Sequence, residues 1–428
     1  MSTNTSPKSV FKRRESEARS YCRGFDTVFS TAMGSEMTDT AGRTYIDFLA
    51  GCSSLNYGHN DSDMKAALID HIAINGVTHG LDMHTDAKGA FIESFETYIL
   101  KPRDMGHKLM FVGPTGANAV EAAMKIARKA TGRTNVIAFT NGFHGVTQGA
   151  LAATGNSYHR GGAGTTLSDV TRMPFDGYMG AGLDTCDLLE AMLTDASSGM
   201  DAPAAILLET VQGEGGLNAA RPAWIKRVAQ LATDCGALLI VDDIQAGCGR
   251  TGTFFSFDEM GITPDIVTLA KSVSGFGLPM GLVLVKPEHD VMGPAEHNGT
   301  FRGNTHAFVT ARVAIEKFWS DDLLKRDITR RAKMIEEGLE TIATMIPGAY
   351  LKGRGMMRGV DVGSGDLAGD ICAEAFSKGL IVETSGPNDE VVKILAPLTT
   401  LDATLLKGLN ILIDAARSIT STSKVAAE

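Results

Sequence analysis

The sequence predicts an α/β protein built on a mostly parallel sheet. Apolar segments of strand length alternate with helical patterns, for example at 116–130 and 222–235, as in strand–helix–strand units. Several of the strand segments are apolar at every position, which is typical of strands that are covered on both faces. The candidate strands are 108–112, 135–140, 204–209, 237–242, 265–270 and 281–285.

The segments on either side predict a smaller α+β unit. Residues 35–47 have the pattern of a β-hairpin. A long helical pattern covers 308–346, and the segments 349–362 and 379–395 follow it. Between strands, the Gly-rich segment 155–182 predicts a long loop that covers a functional site.

A chain of 428 residues suits two domains. We expect residues 1–60 to form an N-terminal arm and part of the small domain, 61–315 the large domain, and 316–428 the rest of the small domain. Within the first of these, residues 1–9 are rich in Ser, Thr and Asn, and their composition predicts disorder.

Composition excludes several classes of function. With 40 basic and 50 acidic residues the formal net charge is −10, which argues against a nucleic-acid surface. The six cysteines form no C-x-x-C pair, so free thiols in a reducing compartment are expected. No apolar run approaches the roughly 20 residues of a membrane span, and no secretory signal is visible. We therefore expect a cytoplasmic protein without a membrane partner.

Lys271 directly follows the apolar strand 265–270. Ligands of open α/β sheets bind beyond the carboxyl ends of the strands, so an amine there is partly desolvated. Desolvation lowers the pKa of an amine toward the range in which it is nucleophilic and forms Schiff bases. Taken alone, however, Lys271 is more typical of a solvated loop lysine, and the case for a catalytic amine depends on its neighbours.

The segment 113–118 joins a strand to a helix and predicts a phosphate site. Backbone N–H groups of Gly116 and Ala117 would lie at the helix N-terminus, and Thr115 adds a hydroxyl. A plain capped turn is the alternative. The segment has neither G-x-G-x-x-G spacing nor a Walker lysine, so nucleotide binding is not indicated.

Asp242 ends the apolar strand 237–242, where an ionised carboxylate requires a cationic partner. A metal held by Asp242 and Asp243 is disfavoured, because adjacent strand residues point to opposite faces. No metal site is therefore predicted. An arginine or a protonated pyridine nitrogen remains, and the latter suits a lone carboxylate.

Further polar and aromatic residues follow two other strands. Phe143 and His144 follow 135–140, and Glu209 and Glu214 lie at and just beyond the end of 204–209. Phe143 could stack on a planar ring or belong to the core. These residues, Lys271, Asp242 and the phosphate loop all follow strands of one sheet. A single site is therefore expected at the carboxyl ends of those strands.

Four motifs resemble class III aminotransferases, pyridoxal-phosphate (PLP) enzymes of fold type I. They are T-L-A-K-S around Lys271, V-D-D-I-Q-A-G-C-G-R-T-G (241–252), G-F-H-G (142–145) and E-T-V-Q-G-E-G-G (209–216). The resemblance extends from about residue 10 to 412. It implies PLP as the cofactor and a large PLP-binding domain with a mostly parallel seven-stranded sheet.

The resemblance also implies roles for single residues. Lys271 would form the Schiff base with PLP and move a proton, and Asp242 would keep the pyridine nitrogen protonated. Gln245 would contact the phenolic oxygen. Phe143 would stack on the ring. Thr300 would contact the phosphate bound by a neighbouring subunit, which implies a homodimer or larger homo-oligomer. The remaining implied cofactor contacts are Thr115, Gly116, Ala117, His144 and Glu209.

Two positions depart from the family pattern. Lys393 stands where many members carry the arginine that binds the 2-oxoglutarate carboxylate, and lysine lacks the bidentate fork. The usual pairing of that arginine with the acid at Glu214 is therefore altered, and Arg302 is an alternative cation. Asn118 replaces a frequent glutamate in the phosphate loop.

Within the family, E-S-E-A-R-S-Y-C-R (15–23), T-H-G-L-D-M-H-T (78–85) and H-N-G-T-F-R-G-N (297–304) resemble enzymes that supply diaminobutyrate for ectoine synthesis. The implied reaction moves an amino group from L-glutamate to L-aspartate 4-semialdehyde, giving L-2,4-diaminobutyrate and 2-oxoglutarate. The alternatives are another ω-aminotransferase (for siderophore or diamine synthesis, or of the ornithine or GABA type), a PLP aminomutase and a decarboxylase. A transaminase-derived regulator would carry an additional DNA-binding domain, and no basic extension of that kind is visible.

Overall fold

The computed structural model describes residues 8–180 and 182–427. Most of the segment 1–9, for which disorder was predicted, lies outside these ranges. The helices are α1 (Ser9–Arg14), α2 (Ala50–Ser53), α3 (Ser62–Ala73), α4 (Asp86–Phe95), α5 (Gly116–Thr131), α6 (Gln148–Ala153), α7 (Ser157–Gly161), α8 (Thr185–Thr194), α9 (Pro222–Cys235), α10 (Thr305–Phe318), α11 (Leu323–Ala343), α12 (Gly365–Ser377) and α13 (Asp402–Ala427). Within the described ranges no helix combines the length and apolar composition that a membrane span requires.

The strands form a large central sheet and smaller sheets. They are β1 (Phe29–Met33), β2 (Glu36–Asp39), β3 (Thr44–Asp47), β4 (Lys108–Val112), β5 (Val136–Phe139), β6 (Val170–Met173), β7 (Ala205–Leu208), β8 (Val211–Gln212), β9 (Asn218–Ala219), β10 (Leu238–Asp242), β11 (Ile266–Leu269), β12 (Gly281–Val285), β13 (Tyr350–Arg354), β14 (Met357–Asp361), β15 (Leu380–Ile381), β16 (Glu383–Ser385) and β17 (Val391–Ile394).

The central sheet has seven strands in the order β4-β12-β11-β10-β7-β5-β6. Every strand is parallel to the others except β12, which is antiparallel to its neighbours β11 and β4. The predicted mostly parallel sheet is confirmed, and each of its six candidate strands is present. Because the carboxyl ends of the six parallel strands lie at one edge, the residues that follow β4, β5, β7, β10 and β11 come together there.

The seventh strand corrects one expectation. Strand β6 lies inside the segment 155–182, for which only a loop was predicted, and it pairs in parallel with β5. Its four residues, Val-Thr-Arg-Met, are too few and too mixed in polarity to stand out between glycine-rich flanks. The segment is thus partly an edge strand.

Alternation along the strands places a separate core on each face of the sheet. On β5, Ile137 and Phe139 join the core that contains Trp224 of α9. Val136 and Ala138 point the other way and join the core under α5. The apolar strands are therefore covered on both faces, as their composition predicted.

The flanking segments pack as a second unit. Strand β15 pairs in parallel with β3 and thereby joins segments that are more than 300 residues apart in the chain.

The pattern predicted as one helix over 308–346 is two helices, α10 and α11. The break is stabilised by Asp321, whose carboxylate accepts the backbone N–H of Leu323 at 2.8 Å. Strands β16 and β17 are antiparallel and place Glu383 opposite Lys393.

Candidate active site

A cavity of about 400 Å³ opens at the carboxyl edge of the central sheet. Its walls come from the loops that follow β4, β5, β7, β10 and β11, so the convergence expected from the sequence is present. The residues predicted from sequence that line it are Thr115, Gly116, Ala117, Phe143, His144, Glu209, Glu214, Asp242, Gln245 and Lys271.

Lys271 follows β11 in a strained conformation. Its φ of +51° is in the left-handed region, which is uncommon for a residue with a side chain. The next residue anchors the turn, because the Ser272 hydroxyl donates to the Ser53 carbonyl at 2.6 Å and accepts the Asn56 N–H at 2.9 Å. These bonds hold the backbone so that the half-buried Lys271 lines the cavity. An amine in that position could act as a nucleophile on a ligand bound there.

The N-terminus of α5 forms the wall expected to bind phosphate. The Thr115 hydroxyl caps the helix by accepting the Asn118 N–H at 3.2 Å. The N–H groups of Gly116 and Ala117 have no partner within the helix, because they belong to its first turn. Asn118 does not enter the cavity wall, since its Oδ1 accepts the Gly113 N–H at 2.7 Å. The arrangement leaves donors and a helix dipole directed at an anion.

Asp242 lies at the base of the cavity and is only 4% exposed. Its Oδ1 accepts from the Thr268 hydroxyl at 3.0 Å and from the Ile244 N–H at 3.3 Å, and its Oδ2 lies 2.7 Å from His144 Nδ1. Burial lowers the pKa of His144, but the hydrogen bond to Asp242 raises it overall. Three partners thus fix the orientation of the Asp242 carboxylate.

The adjacent acid faces away from the cavity. Asp243 is fully buried on the opposite side of β10 and accepts the Ser256 N–H at 3.1 Å. Burial raises the pKa of Asp243 to about 7. The two carboxylates do not share a site, as the alternation of side chains along a strand predicted.

Glu209 positions the loop that carries Phe143. Its carboxylate accepts the N–H groups of Phe143 at 3.0 Å and of Gly213 at 3.2 Å. Burial raises the pKa of Glu209 to about 7. Glu209 therefore acts on the cavity mainly by holding the backbone of two loops.

A buried ionic cluster forms the wall beside Gln245. The Gln245 side-chain N–H donates to Glu214 Oε1 at 2.9 Å, and its own Oε1 is buried without a partner. Glu214 Oε1 lies 3.1 Å from the ammonium of Lys393, which lies 2.9 Å from Glu383 Oε1. Burial raises the pKa of Glu214, but the Lys393 ammonium and then Lys271 reverse this and lower it to about 2.

Three predicted residues do not line this cavity in the single chain. Lys393 is 0% exposed and lies behind Glu214. Arg302 forms an ion pair with Asp82, and Thr300 is exposed on the same turn. Whether the last two contribute to a neighbouring subunit stays a prediction.

Sequence reasoning missed the outer members of the ionic cluster. Glu383 contacts Lys393, and Cys52 Sγ lies 3.8 Å from Glu383 and 2.8 Å from the Tyr21 hydroxyl. Of these residues, only Glu383 had a sequence signal that could have pointed to the cluster, because it lies on a strand next to that of Lys393. The strand register that brings the two together could not be read from the sequence.

Comparisons with known proteins agree with this geometry. A family model described as aminotransferase class-III matches residues 19–416. A diaminobutyrate–2-oxoglutarate transaminase of Halalkalibacterium halodurans is 53% identical over 97% of this chain and 98% of the relative. A transaminase with the same name from Vibrio cholerae is 56% identical over 94% of this chain and 98% of the relative.

Solved structures show the same fold. An ornithine aminotransferase from Toxoplasma gondii, whose active site holds PLP at partial occupancy, is 26% identical, with a TM-score of 0.83 over 97% of this chain and 94% of that chain. An S-selective transaminase from Bacillus megaterium is 22% identical, with a TM-score of 0.85 over 96% of this chain and 97% of that chain, and it supports the fold alone. With a family model that covers nearly the whole sequence and a cavity lined by the lysine, aspartate and phosphate loop, the chain belongs to the class III aminotransferases.

Proposed function

We propose that the chain is a PLP-dependent transaminase that moves an amino group from L-glutamate to L-aspartate 4-semialdehyde, giving L-2,4-diaminobutyrate and 2-oxoglutarate. The observation that carries this proposal is the identity of 52–56% to several relatives named diaminobutyrate–2-oxoglutarate transaminase, over almost their full lengths. At such identity we expect this chain and those relatives to share most of the cavity residues that determine substrate specificity.

The cavity fits PLP. Free N–H groups at the start of α5 suit its phosphate, the buried carboxylate of Asp242 suits a protonated ring nitrogen, and the Lys271 amine suits its carbonyl carbon. Gln245 and Phe143 line the same space, as contacts to the phenolic oxygen and the ring face require. When bound, PLP withdraws electrons from the substrate carbon that carries the amino group, and so makes its proton acidic.

The residues of the chain supply the remaining steps. The amine of Lys271 lines the cavity where it would take the proton from the substrate carbon and hold it for return during transfer of the amino group. Asp242 holds a proton on the ring nitrogen, and Thr268 and His144 prevent the carboxylate from turning away. The mainly apolar lining beside Phe143 would keep water from a bound cofactor, which would strengthen these interactions.

Lys393 is the cation that we propose to bind the substrate carboxylate at the reacting carbon. It is supported by its contact with Glu214, whose side chain lines the cavity and is 33% exposed. Rotation of Glu214 would open a path to the ammonium. Arg302 is the second candidate, acting in a neighbouring subunit, and parallel KM measurements on Lys393→Ala and Arg302→Ala would assign the role.

We further propose a homodimer or larger homo-oligomer in which Thr300 contacts the phosphate of a neighbouring subunit. Support comes from His297, whose Nε2 lies 3.1 Å from Asn118 Oδ1 and thereby links the Thr300 turn to the phosphate loop. Mixing Thr300→Ala with Lys271→Ala subunits tests this, because each mixed dimer regains one complete site if Thr300 acts on the neighbouring subunit and none if it acts within its own.

The organisation and location of the chain are also proposals. Pairing of β3 with β15 supports a small domain made of residues 1–60 and 316–428, with 61–315 as the large domain. The six cysteines are free, which supports a reducing, cytoplasmic location.

The decisive variant for cofactor chemistry is Lys271→Ala. We expect the wild-type protein with PLP to be yellow and to change its absorbance when glutamate is added, and the variant to show no such change. A Lys271→Ala protein that reacts with glutamate at the wild-type rate would refute the assignment. Lys286→Ala is a suitable control, because Lys286 forms a half-buried ion pair with Asp265 at 2.7 Å, at the opposite end of β11 from Lys271.

A further inference from the structure

Glu383 is the second acid that forms an ion pair with the buried Lys393, and its side chain is less free to move than that of Glu214. Glu383 and Lys393 are directly opposite residues of the antiparallel strands β16 and β17, with a separation of 2.9 Å between Oε1 and Nζ. The Glu383 side chain is only 12% exposed, against 33% for Glu214. Glu214 can therefore turn toward the cavity, whereas Glu383 is fixed by its strand.

Two carboxylates contact the single ammonium of Lys393, and once Lys271 is bound to PLP no second ammonium balances them. The other charged or titratable groups that face Glu383 are Lys271, Cys52, Cys372 and Tyr21. Burial raises the pKa of each thiol to about 12 and also raises that of the tyrosine, so these three stay neutral near pH 7. Burial raises the pKa of Glu383 too, despite the neighbouring ammonium. Glu383 is the member of the cluster best placed to take up a proton.

The two substrates of the proposed reaction, on which this inference rests, place different charges beside Lys393. Glutamate carries a carboxylate on the carbon that reacts with the cofactor, whereas the reacting C4 of diaminobutyrate carries none. A carboxylate that displaces Glu214 from Lys393 would still meet the fixed charge of Glu383 in a poorly solvated space. Like charges at such distances disfavour ionisation of one of them.

We propose that Glu383 takes up one proton when the carboxylate of glutamate binds Lys393, and releases it when diaminobutyrate occupies the site. The proton comes from solvent and forms an O–H bond on the Glu383 carboxylate, which then no longer competes for the ammonium. Glu383 thus determines specificity, because it makes the balance between the two substrates depend on pH.

Glu383→Gln tests this, since the amide imitates the protonated acid. Saturation of the two half-reactions between pH 6.5 and 9 gives the ratio of glutamate affinity to diaminobutyrate affinity. As the pH rises, this ratio should fall in the wild-type protein by up to about tenfold per pH unit relative to the variant. The matched control is Glu336→Gln, whose acid pairs with Arg358 of the neighbouring strand β14 at 3.2 Å. The control should keep the wild-type slope, and equal slopes in wild type and Glu383→Gln would overturn the proposal.

A second measurement needs no variant. Calorimetric titration of the PLP-loaded wild-type protein with glutarate, in two buffers of different ionisation enthalpy, should show uptake approaching one proton per site. Zero uptake at pH 8 would also overturn the proposal. A wild-type protein whose cofactor does not react with glutamate would overturn the proposed function itself, which is a different outcome from equal slopes.

Discussion

Replacement of Asp242 by asparagine separates charge from shape at the base of the cavity. The amide oxygen can still accept from the Thr268 hydroxyl at 3.0 Å and the Ile244 N–H at 3.3 Å. The amide N–H₂ would face His144, whose imidazole can accept a hydrogen bond in its other neutral tautomer. The fold around the site should therefore survive, and what is lost is one buried negative charge.

The expected magnitude follows from that charge. Two unit charges about 4 Å apart interact by about 4 kcal/mol at an effective dielectric constant of about 20. Loss of one such preorganised electrostatic contact typically lowers the rate by about 10²–10³. We expect Asp242→Asn to slow the glutamate half-reaction by this factor while its PLP affinity changes much less.

The assay is stopped-flow absorbance of the PLP-loaded protein with saturating glutamate, together with PLP titration of the apoprotein. Asp243→Asn is the matched control, because Asp243 is equally buried but lies on the other face of β10. Its half-reaction should remain close to the wild-type rate. If Asp242→Asn reacted as fast as this control, Asp242 would be structural and the partner of the ring nitrogen would lie elsewhere.

Three further outcomes are expected. Gly213→Ala should slow both half-reactions, because its Cβ would lie 1.6 Å from Gln245 Oε1; Gly369→Ala, with nothing within 4 Å, is the control. Thr115→Ala should weaken PLP binding and destabilise α5 by about 1 kcal/mol, as seen by PLP titration and thermal unfolding, whereas Thr115→Ser should not. The folded-state pKa of Asp243 is raised from 3.8 to about 7, so its protonated form stabilises the fold and this contribution is lost as the pH rises between those values. Asp243→Asn should therefore show a smaller fall in melting temperature from pH 5 to 8 than the wild-type protein, and an equal or larger fall would contradict the assignment.

Much of the site could be predicted because its residues follow apolar strands. Runs such as 237–242 and 265–270 mark buried strands by composition alone, and the carboxyl ends of parallel strands share one edge. Asp242 and Lys271 were therefore assigned to one cavity without knowledge of the strand order. The glycine-flanked β6 gave too weak a signal to be recognised.

The substrate side of the cavity could not be predicted in the same way. Lys393, Glu214 and Glu383 meet through the pairing of β16 with β17 and the contact of Lys393 with the loop that carries Glu214. These contacts depend on register and packing between distant segments, which local periodicity does not encode. The left-handed backbone at Lys271 was also unforeseen, because tertiary hydrogen bonds impose it.

The most direct test of the proposed function follows the nitrogen atom. The PLP-loaded protein would be incubated with ¹⁵N-labelled L-glutamate and unlabelled L-aspartate 4-semialdehyde, and the products resolved by chromatography and mass spectrometry. Transamination predicts equal amounts of 2-oxoglutarate and L-2,4-diaminobutyrate, with the label on the C4 amino group only. An isomer of the semialdehyde that keeps its single unlabelled nitrogen, formed without 2-oxoglutarate, would indicate transfer within one molecule and would contradict the proposed reaction.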